Sequence, residues 1–91
     1  MTAKRRSKLE MINDMLRAIQ NKGGKIKPTH LLYKSNLSHS KMKEYLEELM
    51  SKGLVEEIMQ DDKKMFKITD KGYTFLMEFE RIKTFSESFG L

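Results

Sequence analysis

Apolar residues follow two periods along this chain, and the change of period marks its elements. Leu9, Ile12, Leu16 and Ile19 recur at steps of three and four, the stripe of an amphipathic helix. Met11, Met15 and Ala18 widen it. Ser7 stands ahead of the stripe with Glu10 three residues on, so hydroxyl and carboxylate can cap the helix reciprocally. Gly23-Gly24 stops it, and Lys25-Ile26-Lys27 forms a brief extended piece before Pro28. Pro28 and Thr29 suit a helix entrance, because a first-turn proline gives up an N–H that would have no partner within the helix. Leu31, Leu32 and Tyr33 then supply an apolar turn and a half, broken by Lys34-Ser35-Asn36. Asn36 tolerates left-handed backbone, as a tight link between helices requires, and Leu37 follows as a core plug.

Ser38 is an N-cap for a third helix over roughly residues 39–52. Met42, Leu46 and Leu49 share one face of it, with Tyr45 and Met50 beside them. Ser40, Glu44, Glu47 and Ser51 lie near the opposite face, flanked by Lys41 and Lys43, and Gly53 ends the helix. The period then drops to two. Leu54–Gln60 and Lys64–Thr69 read as strands around an Asp61-Asp62-Lys63 turn, with Phe66 and Ile68 alternating against Met65 and Lys67. Thr69 caps a last helix over about residues 70–88. Along it Phe75, Phe79, Ile82 and Phe89 keep a heptad seam, with Ser86 at the expected fifth place and Phe85 nearby.

With 91 residues the chain builds one domain around one core. Its 38% apolar and 34% charged residues are those of a globular protein. It has no cysteine, so disulfides and thiolate metal sites are excluded. Its apolar runs are too short to span a bilayer, and no apolar segment follows the basic N-terminal residues as in a signal peptide. A cytoplasmic, nucleoid-associated protein is expected. The net charge of +5 is unevenly spread: residues 1–43 carry eleven Lys/Arg against two acids, and residues 44–91 carry seven against eleven. The first part is thus +9 and the second −4, a dipole whose basic half fits a polyanion.

The helix pair 28–35 and 39–52, joined by a short turn, matches the helix-turn-helix plan. In that plan the second helix sets its first residues against base edges in a major groove. Those residues here are Ser38, His39, Ser40, Lys41 and Lys43, all able to donate to phosphates or base acceptors. Glu44 can accept from cytosine, while Glu47 and Glu48 oppose deep insertion of the whole helix. The hairpin would be a wing, with Lys63, Lys64 and Lys67 against phosphate or the adjacent minor groove; a charged strand edge that prevents aggregation is the alternative. The N-terminal arm, with Arg5 and Arg6, would follow the groove or the backbone, or serve as a solubilising tail. His30 and His39 have no acidic neighbour at metal-ligand spacing. No nucleophile–base order or glycine-rich phosphate loop occurs. Binding rather than catalysis is expected, with no metal, cofactor or small-molecule ligand.

The segment LLYKSNLSHSKMKEYLEELMSKGLVEE, followed by KMFKITDKGYTFL and preceded by RRSKLEMINDMLRAI, resembles the small archaeal winged-helix DNA-binding proteins. These include the coiled-coil-dimer chromatin proteins of Sulfolobus and related predicted transcriptional regulators. The resemblance covers about residues 5–82, and its marks are the KGLVE helix exit and the KITDKG entry to the last helix. It implies an α+β, mostly α, winged helix-turn-helix with a C-terminal dimerisation helix. It also implies a homodimer that binds double-stranded DNA through His39, Ser40, Lys41 and Lys43 and through Lys63 and Lys64.

The expected division is residues 1–72 for the winged-helix domain and its arm, and 73–91 for the dimerising helix. The residues also point to a dimer on their own account. A body this small cannot readily bury Phe75, Phe79, Ile82, Phe85 and Phe89 on a protruding helix, so the stripe marks a partner surface or folds back on the first helix. Three roles stay open: a transcriptional regulator, a nonspecific chromatin protein, and a winged-helix module that docks other proteins.

Overall fold

In the computed structural model, which describes residues 7–91, the chain runs α1 (Lys8–Asn21), β1 (Lys25–Ile26), α2 (Pro28–Ser35), α3 (His39–Ser51), β2 (Val55–Gln60), β3 (Lys63–Ile68) and α4 (Asp70–Ser88). The helices start where their caps predict. Glu10 N donates to Ser7 Oγ at 3.1 Å and Ser7 N to Glu10 Oε1 at 2.9 Å, completing the capping box of α1. Lys41 N donates to Ser38 Oγ at 3.2 Å, and Gly72 N to Thr69 Oγ1 at 3.1 Å. Asn36 takes left-handed backbone (φ 56°) between α2 and α3, as the turn requires.

The sheet has three antiparallel strands in the order β1-β3-β2, so the Lys25-Ile26 piece is a strand in its own right. Gly24 makes this possible. At φ 96° it turns the chain out of α1, and its carbonyl accepts from Ile68 N at 3.0 Å. Ile26 then pairs with Phe66 and Lys25 with Lys67. The hairpin turn is one residue shorter than expected: Asp61 and Asp62 alone form it, at φ 52° and 62°, and Gln60 pairs directly with Lys63. Two consecutive positive φ values give a turn whose twist matches that of the strands.

The core lies between the inner face of this sheet and α1, α2 and α3. Met15, Leu16, Ile19, Ile26, Leu31, Leu49, Val55 and Ile68 are wholly buried in it. Truncating one of its leucines or isoleucines to alanine costs about 2–5 kcal/mol. Two residues assigned to apolar stripes fall outside it. Leu9 is exposed on the first turn of α1, and Tyr33 is 87% exposed on α2. Leu37 is half-buried against the core.

α4 leaves the body as it lengthens. Leu76 is buried and Phe75 packs against the core, while Ile82, Phe85 and Phe89 are 65%, 63% and 66% exposed. The start of α4 is tied to the end of α3. Thr69 Oγ1 donates to the Gly53 carbonyl at 2.6 Å, Thr69 N to the Leu54 carbonyl at 3.1 Å, and Lys71 Nζ to the Lys52 carbonyl at 2.8 Å. No helix among the described residues is long and apolar enough to cross a membrane.

Candidate nucleic-acid interface

The first turn and a half of α3 stands clear of the protein. His39, Ser40, Lys41, Lys43 and Glu44 are all exposed, because Met42, Leu46 and Leu49 take the inward positions of the helix. Ser38 serves mainly the helix itself: its hydroxyl caps Lys41 and lies 3.5 Å from Ser40 Oγ. Lys41 stays on the helix surface, 3.8 Å from Glu44 Oε2 and 6.0 Å from the centre of the Tyr45 ring. That pair is more than half exposed and adds little to stability. It does restrain Glu44 beside a lysine, which lessens its repulsion toward a phosphate.

Successive side chains of a strand point to opposite faces, so Lys63 and Lys64, grouped together on sequence, part company. Lys64 shares the inner face with Phe66 and Ile68, whereas Lys63 lies on the outer face with Lys67 and Lys25. Lys25 Nζ donates to Gln60 Oε1 at 2.8 Å across that outer face. Lys64 is 3.8 Å from Glu57 Oε1 and turns toward α3. There His39, Lys43 and Lys64 line one concavity of about 250 Å³, floored by Met42, Leu46 and Phe66 and bounded by Pro28 at the head of α2. The trough joins the first turns of α3 to the hairpin, and its polar rim is cationic or neutral.

Glu48 does not belong to this surface. It turns to the other side of α3 and meets Lys8 Nζ at 2.6 Å. That hydrogen bond, aided by the carboxylate charge, holds the exposed Lys8 ammonium above its usual 10.5, against the opposing effect of desolvation. Lys8 thus opens α1 and braces it on α3. Arg5 and Arg6 lie outside the described residues. Among those described, no cluster of His, Asp and Glu is arranged to hold a metal ion.

The seam on α4 divides. Phe75 and Phe79 stack at 6.2 Å between ring centres and are half-buried, while Phe85 and Phe89 pair at 4.8 Å in the open with Ile82 near them. Leu9, Met77 and Leu91 are further exposed apolar residues that the heptad spacing did not pick out. Lys25 and Pro28 were also missed as neighbours of the interface. Only the pairing of β1 with β3 brings Lys25 to the hairpin, and no local pattern signals it.

A family model described as winged helix-turn-helix matches residues 5–87. The chain belongs to this family. Within the winged helix-turn-helix frame α2 and α3 are the helix pair, and β2 and β3 are the wing. No curated protein matches the chain. Among solved structures, Sso10a-2, a DNA-binding protein from Sulfolobus solfataricus, is similar with a TM-score of 0.79 and 24% identity, over 92% of this chain and 85% of that one. BldR, a transcriptional regulator from the same organism, gives 0.72 at 20% identity, over 88% of this chain and 60% of its own. F93 from STIV, a winged-helix DNA-binding protein, gives 0.68 at 14% identity, over 86% and 90%. At such identities the likeness is one of fold.

Proposed function

We propose that this winged helix-turn-helix protein binds double-stranded DNA as a homodimer and acts as a transcriptional regulator in the cytoplasm, on the nucleoid. The observation that carries the reading is the trough where His39 and Lys43 of α3 meet Lys64 of the wing. With α3 in a major groove and the wing over the next groove, the strand of phosphates between them lies along this trough. Ser40, Lys41 and Glu44 are then left to face base edges, and Lys63 and Arg5–Arg6 to reach backbone further out. The Sulfolobus proteins of like fold, named for DNA binding or for transcriptional regulation, support the assignment.

The exposed Ile82, Phe85 and Phe89 on the far part of α4 support dimerisation through that helix, with Phe75 and Phe79 forming its inner, half-buried end. A two-fold axis there would set two reading heads roughly 34 Å apart, or a multiple of it. A gel-shift titration against salt tests the reading. Wild type should bind duplex at low salt. Lys43→Ala and Lys64→Ala should each weaken binding to every duplex and flatten the log–log slope by about 0.9. A chain that binds no duplex at low salt does not have this function. Competition between random and selected duplexes separates a regulator with an operator from a nonspecific chromatin protein.

A further inference from the structure

We infer that a second cavity, at the opposite end of α3 from His39, binds a small molecule with a compact apolar body and a carboxylate group. The cavity is about 380 Å³, within the range of small-molecule sites (about 300–1,000 Å³), and three elements wall it: the first turn of α1, the last turn of α3 and the opening turns of α4. Ile12, Leu49, Leu54 and Phe75 give it an apolar floor, and three lysines stand at its rim. This departs from the expectation of no small-molecule ligand, because nothing in the spacing of these residues along the chain announces the site; it exists only because Leu54 and Thr69 bring the end of α3 to the start of α4.

Charge selects the occupant. The one carboxylate among the described residues of the wall, Glu48, is already matched by Lys8 at 2.6 Å. Lys71 is held at the rim by donating to the Lys52 carbonyl at 2.8 Å, which leaves its other N–H bonds free to donate. Neither Lys52 nor Lys71 has an ion pair among the described residues. Two ammonium groups beside a dry floor suit a ligand that is anionic at one end and apolar at the other. A neutral apolar molecule would leave them unanswered, and a polyanion would find no further cations on the floor.

The experiment is an amide NMR titration of the full chain with octanoate, and with 1-octanol as the neutral molecule of equal length. Octanoate should shift the Leu49, Leu54 and Phe75 amides saturably, with 1-octanol about tenfold weaker, the value of one charge-assisted hydrogen bond. Lys52→Gln, at an exposed side chain with no ion pair among the described residues, should weaken octanoate and leave 1-octanol unchanged. Lys52→Gln/Lys71→Gln should weaken octanoate further. The proposal fails if octanoate causes no saturable shift, if 1-octanol binds as well, or if Lys52→Gln binds octanoate like wild type. It also fails if the Leu49 and Leu54 amides, which lie off the proposed α4 seam, move with protein concentration alone, since a second copy would then cover the groove. None of these readouts involves DNA, so this site and the proposed duplex binding stand or fall separately.

Discussion

Asn13 is only 8% exposed on α1, and its side-chain oxygen has no hydrogen-bond partner among the described residues. A buried acceptor left unsatisfied costs about 1–3 kcal/mol. Asn13→Leu is therefore expected to stabilise the protein by about 1 kcal/mol, seen as a higher urea midpoint at unchanged slope. An unchanged or lower midpoint would show that the amide is satisfied in solution. Gly72 is the opposite case, a position where nothing larger fits. A Cβ there would collide with the Leu54 carbonyl oxygen, part of the tie between α3 and α4, and with the core side chain of Ile68. Gly72→Ala should cost about 1–3 kcal/mol in the same measurement, and a neutral result would mean that the helix start can shift. Neither residue stands out on sequence. Asn13 reads as a solvent-side residue next to Ile12, and Gly72 as an ordinary first-turn residue, because burial and collision depend on chains that come from elsewhere.

Elements show where periodicity succeeds and where it stops. All four helices and both wing strands were legible, most plainly where a cap meets a regular apolar period, as in Ser38 with Met42, Leu46 and Leu49. β1 was legible only as an extended piece: two residues cannot display alternation, and the strand exists through its register with Phe66 and Lys67. The hairpin turn was read one residue too long, which hid that Lys63 and Lys64 face opposite ways. Asp62, at φ 62°, shares the strain of that turn with Asp61. Asp62→Gly should stabilise the wing by about 0.5 kcal/mol, measured by thermal melting; a loss of stability would mean that the carboxylate anchors the turn. Between α1 and α3 the Lys8–Glu48 contact predicts a pH effect. Because Lys8 is held above 10.5 when folded, its contribution is complete below that pH and fades as pH rises beyond it. Glu48→Gln should flatten the alkaline decline in melting temperature, and an identical decline would show that the contact adds nothing.

At the scale of the whole molecule, the cationic trough lies apart from the exposed phenylalanines. The trough lies where the head of α3 meets the hairpin, and Ile82, Phe85 and Phe89 form an exposed apolar run on the far part of α4, while Leu9, Tyr33 and Met59 are exposed singly elsewhere. The sequence carried this division as a basic first half and a phenylalanine-rich end, but not which residues meet. Phe75 and Phe79 belong partly to the chain's own packing, so the outer residues are the ones to change. Phe85→Glu is expected to shift sedimentation toward monomer while leaving the melting of the core nearly unchanged. Wild type that sediments as a monomer at high concentration would remove the dimer. The joint between α3 and α4 adds a geometric consequence. Clamped by Thr69, Lys71 and the close seat of Gly72, α4 departs at a set angle from the helix that would enter DNA. In a symmetric pair built on α4 that angle acts as a caliper. The protein would accept one separation of half-sites, and lengthening a palindrome by half a helical turn should abolish two-headed binding rather than weaken it gradually.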